Sequence, residues 1–157
     1  MVLEFCGSQT LKKFIPCSKS LKETKNEGQP FVVLEQSDIQ ETQAKFLFQQ
    51  LIKGVIHLHS KGIFHRDLKL SNILVNSKKV LKIIDLGLAT TQNDRIEAVV
   101  GTPSYFSPQA AAGTPYSARA QDVWCLGIIL YELLYGANPF YGTDFVKLRQ
   151  FRDRVQK

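Results

Sequence analysis

The stretch RAQDVWCLGIILYELLY, residues 119–135, constrains the fold more than any other part of the chain. Val123, Trp124, Leu126, Ile128, Ile129, Leu130, Leu133 and Leu134 surround a helix rather than striping it, so burial on most sides is expected. Ser117 offers an N-cap and Gly136 a stop. The run is shorter than a bilayer span, is bounded by Asp122 and is interrupted by Glu132, so no membrane segment is expected and the helix becomes the core post of a globular domain.

A second helix is predicted over residues 38–62. Asp38 and Glu41 form a capping box, Ala44, Leu47, Leu51, Val55 and Leu58 recur at helical spacing, and Gly62 closes it. The apolar runs 73–75 and 80–84, separated by NSKK, read as a small hairpin. Residues 1–15 open with a strand-like piece and turn at Gly7 into a short helical pattern around Leu11, Phe14 and Ile15, which Pro16 ends. Residues 16–37 read as a polar surface loop, and Phe145, Leu148, Phe151 and Val155 begin a further amphipathic helix over 143–157. The three cysteines, Cys6, Cys17 and Cys125, have no CxxC pair, which points to a reducing, intracellular and cytoplasmic setting without a zinc site. The net charge of +6 is scattered without an aromatic stripe, so nucleic acid is not an expected partner.

The chemistry concentrates in GIFHRDLKLSNILV, residues 62–75, and in IIDLGLA just beyond the hairpin. The hairpin brings Asn72 and Asp85 to its same end, and oxygen donors of that kind suit a hard cation such as Mg²⁺ whose shell phosphate completes. Lys69 can then hold a phosphate, and Asp67 can orient an attacking hydroxyl and accept its proton. His57 and His59, two apart on a helix, face different directions and read as packing and surface residues.

HRDLKLSN resembles the catalytic loop of eukaryotic protein kinases, DLG a variant of their DFG metal motif, GTPSYFSPQ the end of their activation segment, and DVWCLGIILYELLYGANPF their central buried helix. The resemblance runs from MVLEFC, similar to the last N-lobe strand and the hinge, into the helix after NPF. It implies an α+β fold, a truncated protein-kinase-like C-lobe, mainly α-helical with a small β-hairpin. In the family's roles Asp67 is the catalytic base, Lys69 contacts the transferred phosphate, and Asn72 and Asp85 hold Mg²⁺ ions. Leu3 is the gatekeeper, the backbones of Glu4 and Cys6 bond adenine of ATP, and Leu11 and Leu74, with Ile129 and Leu133, form or support the floor under the base. His65 stacks under Leu86, Asp122 grips the backbone of the catalytic loop, and Thr102 lines the substrate site and bonds to Asp67 and Lys69. Lys69 and Thr102 also resemble serine/threonine rather than tyrosine kinases, which implies a protein substrate with a Ser or Thr acceptor and a regulatory protein partner.

Several positions depart from the family pattern. Leu86 stands for Phe and Gln109 for Glu, and Ser71 stands where basophilic members place Glu, while Glu132 keeps another acidic substrate-binding position. Ala98 occupies the usual phosphosite, so Glu97, or a phosphorylated Thr90 or Thr91, is expected to supply the anion that Arg66 meets. No G-x-G loop and no Val-Ala-x-Lys strand occurs in the sequence. The expectation is therefore an incomplete version of a working kinase, itself inactive or very weak. The alternative is a non-catalytic kinase-like binding or regulatory module.

Overall fold

The computed structural model describes the backbone of residues 9–10 and all of residues 41–140; Leu3, Glu4, Cys6, Leu11, the Asp38 cap and the 143–157 pattern lie outside the described residues. Two helices and a small sheet carry the fold.

Helix α1, Glu41–Ser60, buries one stripe: Ala44, Leu47, Leu51 and Val55 are at most 3% exposed. Each such Leu or Val stabilises the folded state by roughly 1.5–3 kcal/mol. The helix ends where Gly62 adopts a left-handed φ of 69°, while Gly62 N–H donates to the His59 carbonyl at 3.1 Å and Ile63 N–H to the Leu58 carbonyl at 3.0 Å.

Strands β1 (Gln9–Thr10), β2 (Ile73–Val75) and β3 (Leu81–Ile83) form an antiparallel sheet in that order. Ile73 pairs with Ile83 and Val75 with Leu81, and Asn76 holds the tight turn by accepting from Lys78 N at 3.0 Å and Val80 N at 2.9 Å. The pairing of Gln9 with Val75 and of Thr10 with Leu74 adds a third strand to the expected hairpin. Two residues are too few to show an alternating pattern, which is why the sequence reads there as the start of a helical turn. Gln50 of α1 fastens the turn, donating to the Lys79 carbonyl at 3.0 Å and accepting from Leu81 N at 3.2 Å. Gly54 lets the sheet lie close: a Cβ there would sit 2.9 Å from Ile83 Cδ1.

Helix α2, Pro108–Ala111, is a single capped turn, with Ala110 N–H donating to Ser107 Oγ. Helix α3, Ala118–Tyr135, starts on the Ser117 hydroxyl and stops at Gly136, whose φ is 77°. Its buried residues, among them Gln121, Asp122, Cys125, Ile128, Ile129, Glu132 and Leu133, fall on one face, whereas Val123 is 57% exposed. Against the expected burial on most sides, full burial is confined to that face among the described residues, while Trp124, Leu126 and Leu134 pack half-buried against the core. The elements packed on the helix there, α1 and the 3₁₀ turn Pro103–Tyr105, lie on that face.

The core divides in two. The larger cluster joins the α1 stripe, Leu68, Leu70, Ile73, Val75 and the α3 face; the smaller gathers Phe64, Ile96, Phe106, Ala110, Tyr116 and Ala118. The loop from 61 to 72 runs between them. No described helix is long and apolar enough to cross a membrane.

Candidate active site

Asp122 fixes the loop from below. It lies on the buried face of α3 at 0% exposure, and its two oxygens accept from His65 N at 2.9 Å and Arg66 N at 2.8 Å. These bonds hold Arg66 in a left-handed conformation, φ 64°, which a non-glycine residue adopts only where its surroundings over-determine it. A third donor comes from α1: His59 Nε2 lies 2.8 Å from Asp122 Oδ2. Sequence reading missed this contact and assigned His59 to packing or surface. The partners are 63 residues apart, and neither periodicity nor motif connects them.

His65, fully buried, carries the loop toward the DLG stretch. Its Nδ1 accepts from Asp67 N at 3.3 Å and its Nε2–H donates to the Ile84 carbonyl at 3.0 Å, a tautomer assigned by that network. Leu86 is 49% exposed. The Arg66 Nε donates to the Leu88 carbonyl at 2.7 Å, and a two-way backbone bridge joins Phe64 to Thr90.

Around Asp67 the side chains converge. Thr102 Oγ1 donates to Asp67 Oδ1 at 2.8 Å and accepts from Lys69 Nζ at 2.8 Å. Lys69 Nζ also pairs with Asp67 Oδ2 at 2.8 Å. Asn72 Nδ2 donates to the Asp67 carbonyl at 2.9 Å and to Oδ2 at 3.1 Å, so both its amide protons are committed and its Oδ1 remains an acceptor. Asp67 is 7% and Asn72 6% exposed, while the Lys69 side chain keeps 24% of its surface in solvent. The carboxylate is thus oriented by three neighbours and still borders solvent through Lys69.

Gly101 explains how Thr102 gets there. Its φ is 109°, and an added Cβ would lie 2.7 Å from the Arg66 carbonyl and 3.4 Å from Asp67 Oδ1. Only a residue without Cβ lets the two loops touch.

Asp85 stands apart from this cluster. It is exposed, has φ 65°, and accepts from Gly87 N at 3.2 Å. The Ile84 N–H bond to the Asn72 carbonyl, 2.9 Å, brings its backbone beside Asn72. Among the described residues no three His, Cys, Asp or Glu side chains gather as a metal set; the hard-cation donors here are one amide oxygen and one carboxylate. Leu74 is half-buried, on the side of β2 opposite the buried Ile73 and Val75.

Glu132, the expected acidic substrate-binding position, is 7% exposed and accepts the Tyr105 hydroxyl at 2.6 Å, so it also holds the turn after Gly101. Burial first, and then the Glu132 charge, push the Tyr105 hydroxyl well above its ordinary range. Gln121, also missed from sequence, clamps the same turn: it accepts from Ser107 N at 3.0 Å and donates to the Tyr105 carbonyl at 2.9 Å. The Cys125 thiol behind it is raised far above the thiol range by burial and by the nearby Asp122 charge.

Comparison with known proteins adds an independent line. The protein kinase domain family matches residues 1–156. The chain is 41% identical over 109 residues to the serine/threonine-protein kinase PSK1 of Saccharomyces cerevisiae, covering 69% of this chain and 8% of that protein. It is 42% identical over 113 residues to the CBL-interacting serine/threonine-protein kinase 17 of Arabidopsis thaliana, 69% of this chain and 26% of the relative. With the serine/threonine-protein kinase PLK4 of Xenopus tropicalis the identity is 37% over 150 residues, 94% of this chain and 14% of the relative. The matched regions thus span a minor part of each relative's length.

Proposed function

The chain belongs to the protein kinase family, and we propose that it forms the acceptor-activating part of a protein serine/threonine kinase that transfers the terminal phosphoryl group of Mg·ATP to Ser or Thr hydroxyls. The observation that carries this reading is the convergence of Lys69, Asn72 and Thr102 on the Asp67 carboxylate.

Asp67 is the group that orients the attacking hydroxyl and takes its proton as the new oxygen–phosphorus bond forms. Thr102 and Asn72 restrain its rotation, so its basic oxygen keeps one direction. Lys69 sets a positive charge 2.8 Å from the carboxylate, where it would offset the negative charge that develops on the phosphoryl oxygens. Asn72 Oδ1 and the Asp85 carboxylate fit Mg²⁺ as hard donors: the Asn72 amide protons already point to Asp67, and Asp85 retains an exposed carboxylate. Bound Mg·ATP would supply the phosphoryl group and neutralise charge between its phosphates. Leu3, Glu4, Cys6, Leu11 and Leu74 are the residues we assign to the adenine end.

A regulatory protein partner is part of the same proposal, by analogy with the relatives named as CBL-interacting kinases. We also infer an intracellular, cytoplasmic setting, because the three cysteines form no CxxC pair in the sequence.

The test uses the longest in-frame protein that contains the chain, a serine/threonine peptide library and Mg·ATP. Phosphate transfer that Asp67→Asn abolishes is the expected result. Binding of a protein partner without transfer to any peptide would favour the non-catalytic module instead.

A further inference from the structure

The segment that delivers Thr102 to Asp67 is anchored upstream by a cluster of contacts that lies outside the site itself. Asn93 binds the start of α3 through both its backbone and its side chain: its carbonyl accepts from Ala118 N at 2.7 Å, and its Oδ1 accepts from Ser117 Oγ at 3.0 Å and Arg119 N at 3.1 Å. Three residues on, Ile96 and Tyr116 exchange backbone hydrogen bonds at 2.9 and 3.1 Å. The Tyr116 ring is 6% exposed among Phe64, Ile96, Phe106, Ala110 and Ala118. Its hydroxyl donates to the Ala98 carbonyl at 3.1 Å.

Tyr116 therefore holds the segment three residues before Gly101, and Gly101 in turn lies against the Arg66 carbonyl, immediately before Asp67. We propose that Tyr116 is a positioning residue whose hydroxyl locks residues 96–98 to the loop before α3 and so keeps Gly101 and Thr102 seated on the catalytic loop in the unmodified chain. The clamp is built from a phenol, two backbone pairings and one asparagine, with Arg66 already bonded to the Leu88 carbonyl. It needs no phosphate on the segment. It stands beside the expectation that Glu97, or a phosphorylated Thr90 or Thr91, meets Arg66. The consequence for catalysis rests on the reading of Asp67 as the base, but the clamp can be tested without any turnover.

Tyr116→Phe keeps the ring and removes only the hydroxyl. In phosphatase-treated 157-residue protein, hydrogen exchange of peptides covering residues 93–102 should rise about 10-fold in this variant, the effect of one lost hydrogen bond, while α1 is unchanged. A local packing role would end there. A positioning role also moves the side-chain amide resonances of Asn72, both of whose protons are bound to Asp67. Three results would overturn the proposal: exchange unaffected by Tyr116→Phe, Asn72 resonances unmoved, or no protection of 93–102 in phosphatase-treated wild-type protein. Failure of the kinase reading would appear instead as absent peptide phosphorylation and would alter neither readout.

Discussion

Replacing Asp122 by asparagine removes one acceptor from a place where three donors meet. Asp122 Oδ1 takes the Arg66 N–H, and Oδ2 takes the His65 N–H together with His59 Nε2. An asparagine has a single oxygen, so whichever way its amide turns, at least one buried backbone N–H faces an NH₂ group. An unmet buried donor costs about 1–3 kcal/mol, and the bonds that remain lose their charge assistance, about 1 kcal/mol more. A total of roughly 2–4 kcal/mol is a large part of the ~5–15 kcal/mol that holds an ordinary domain folded. Urea unfolding followed by the fluorescence of Trp124, the one tryptophan and part of α3, measures the change directly. A cycle with His59→Ala separates the helix-to-helix bond from the loop bonds: the two substitutions share an oxygen and should be non-additive by at least ~0.5 kcal/mol. A loss below about 1 kcal/mol for Asp122→Asn, or strict additivity, would refute the claim that this carboxylate organises the loop.

Gly101→Ala combines a disallowed φ with a 2.7 Å contact on the Arg66 carbonyl and should destabilise by roughly 3 kcal/mol or more. Gly62→Ala, with φ 69° and no atom within 4 Å, should cost only about 1–2 kcal/mol in the same urea titration. The raised Cys125 and Tyr105 pKa values set an alkaline limit on stability. Both groups stay protonated in the fold after the unfolded chain has begun to lose those protons, so their contribution is complete below pH 9.0 and is lost as pH rises past it, Tyr105 joining from 10.0. The slope approaches about 1.4 kcal/mol per pH unit per group, and Cys125→Ala should delay the onset in chemical denaturation across this range. In a Cys6→Ser, Cys17→Ser background, Cys125 should resist iodoacetamide in folded protein and react once urea unfolds it, as mass spectrometry can follow.

Much of the architecture could be read from the amino acids because it depends on local pattern. The α1 stripe is visible as Ala44, Leu47, Leu51 and Val55, since helical spacing and burial are the same fact seen twice. The mainly helical class with a small sheet was what the family resemblance implied, and the helix and hairpin periodicities agreed with it. What escaped is of another kind. Strand β1 has two residues, too few for a pattern, and takes its form from the edge of β2. His59 and Asp122 meet because α1 and α3 cross, and Glu132 turns inward because a tyrosine hydroxyl from a distant turn needs an acceptor. Contacts of this sort depend on tertiary placement: the family pattern nominated Glu132 without its bond to Tyr105, and the apolar positions of α3 suggested full burial on more sides than the described residues show. At the candidate site, motif resemblance nominated Asp67, Lys69, Asn72, Thr102 and Asp85. Bond by bond, the geometry gathers the first four and leaves Asp85 exposed beside them. Gly101 had a usable signal, a lone glycine next to the nominated threonine. Tyr116 and Asn93 had none.

Asp67, Thr102 and Lys69 are proposed to act as one acceptor-activating unit. The most direct test is the rate of phosphate transfer from Mg·ATP to a serine peptide by the longest in-frame protein containing the chain, measured for Asp67→Asn, Thr102→Ala and the double variant. Asp67→Asn alone should lower kcat by at least ~10²-fold, and adding Thr102→Ala should lower it little further, as for residues that work together. Full additivity of the two losses, or turnover that persists in Asp67→Asn, would contradict it.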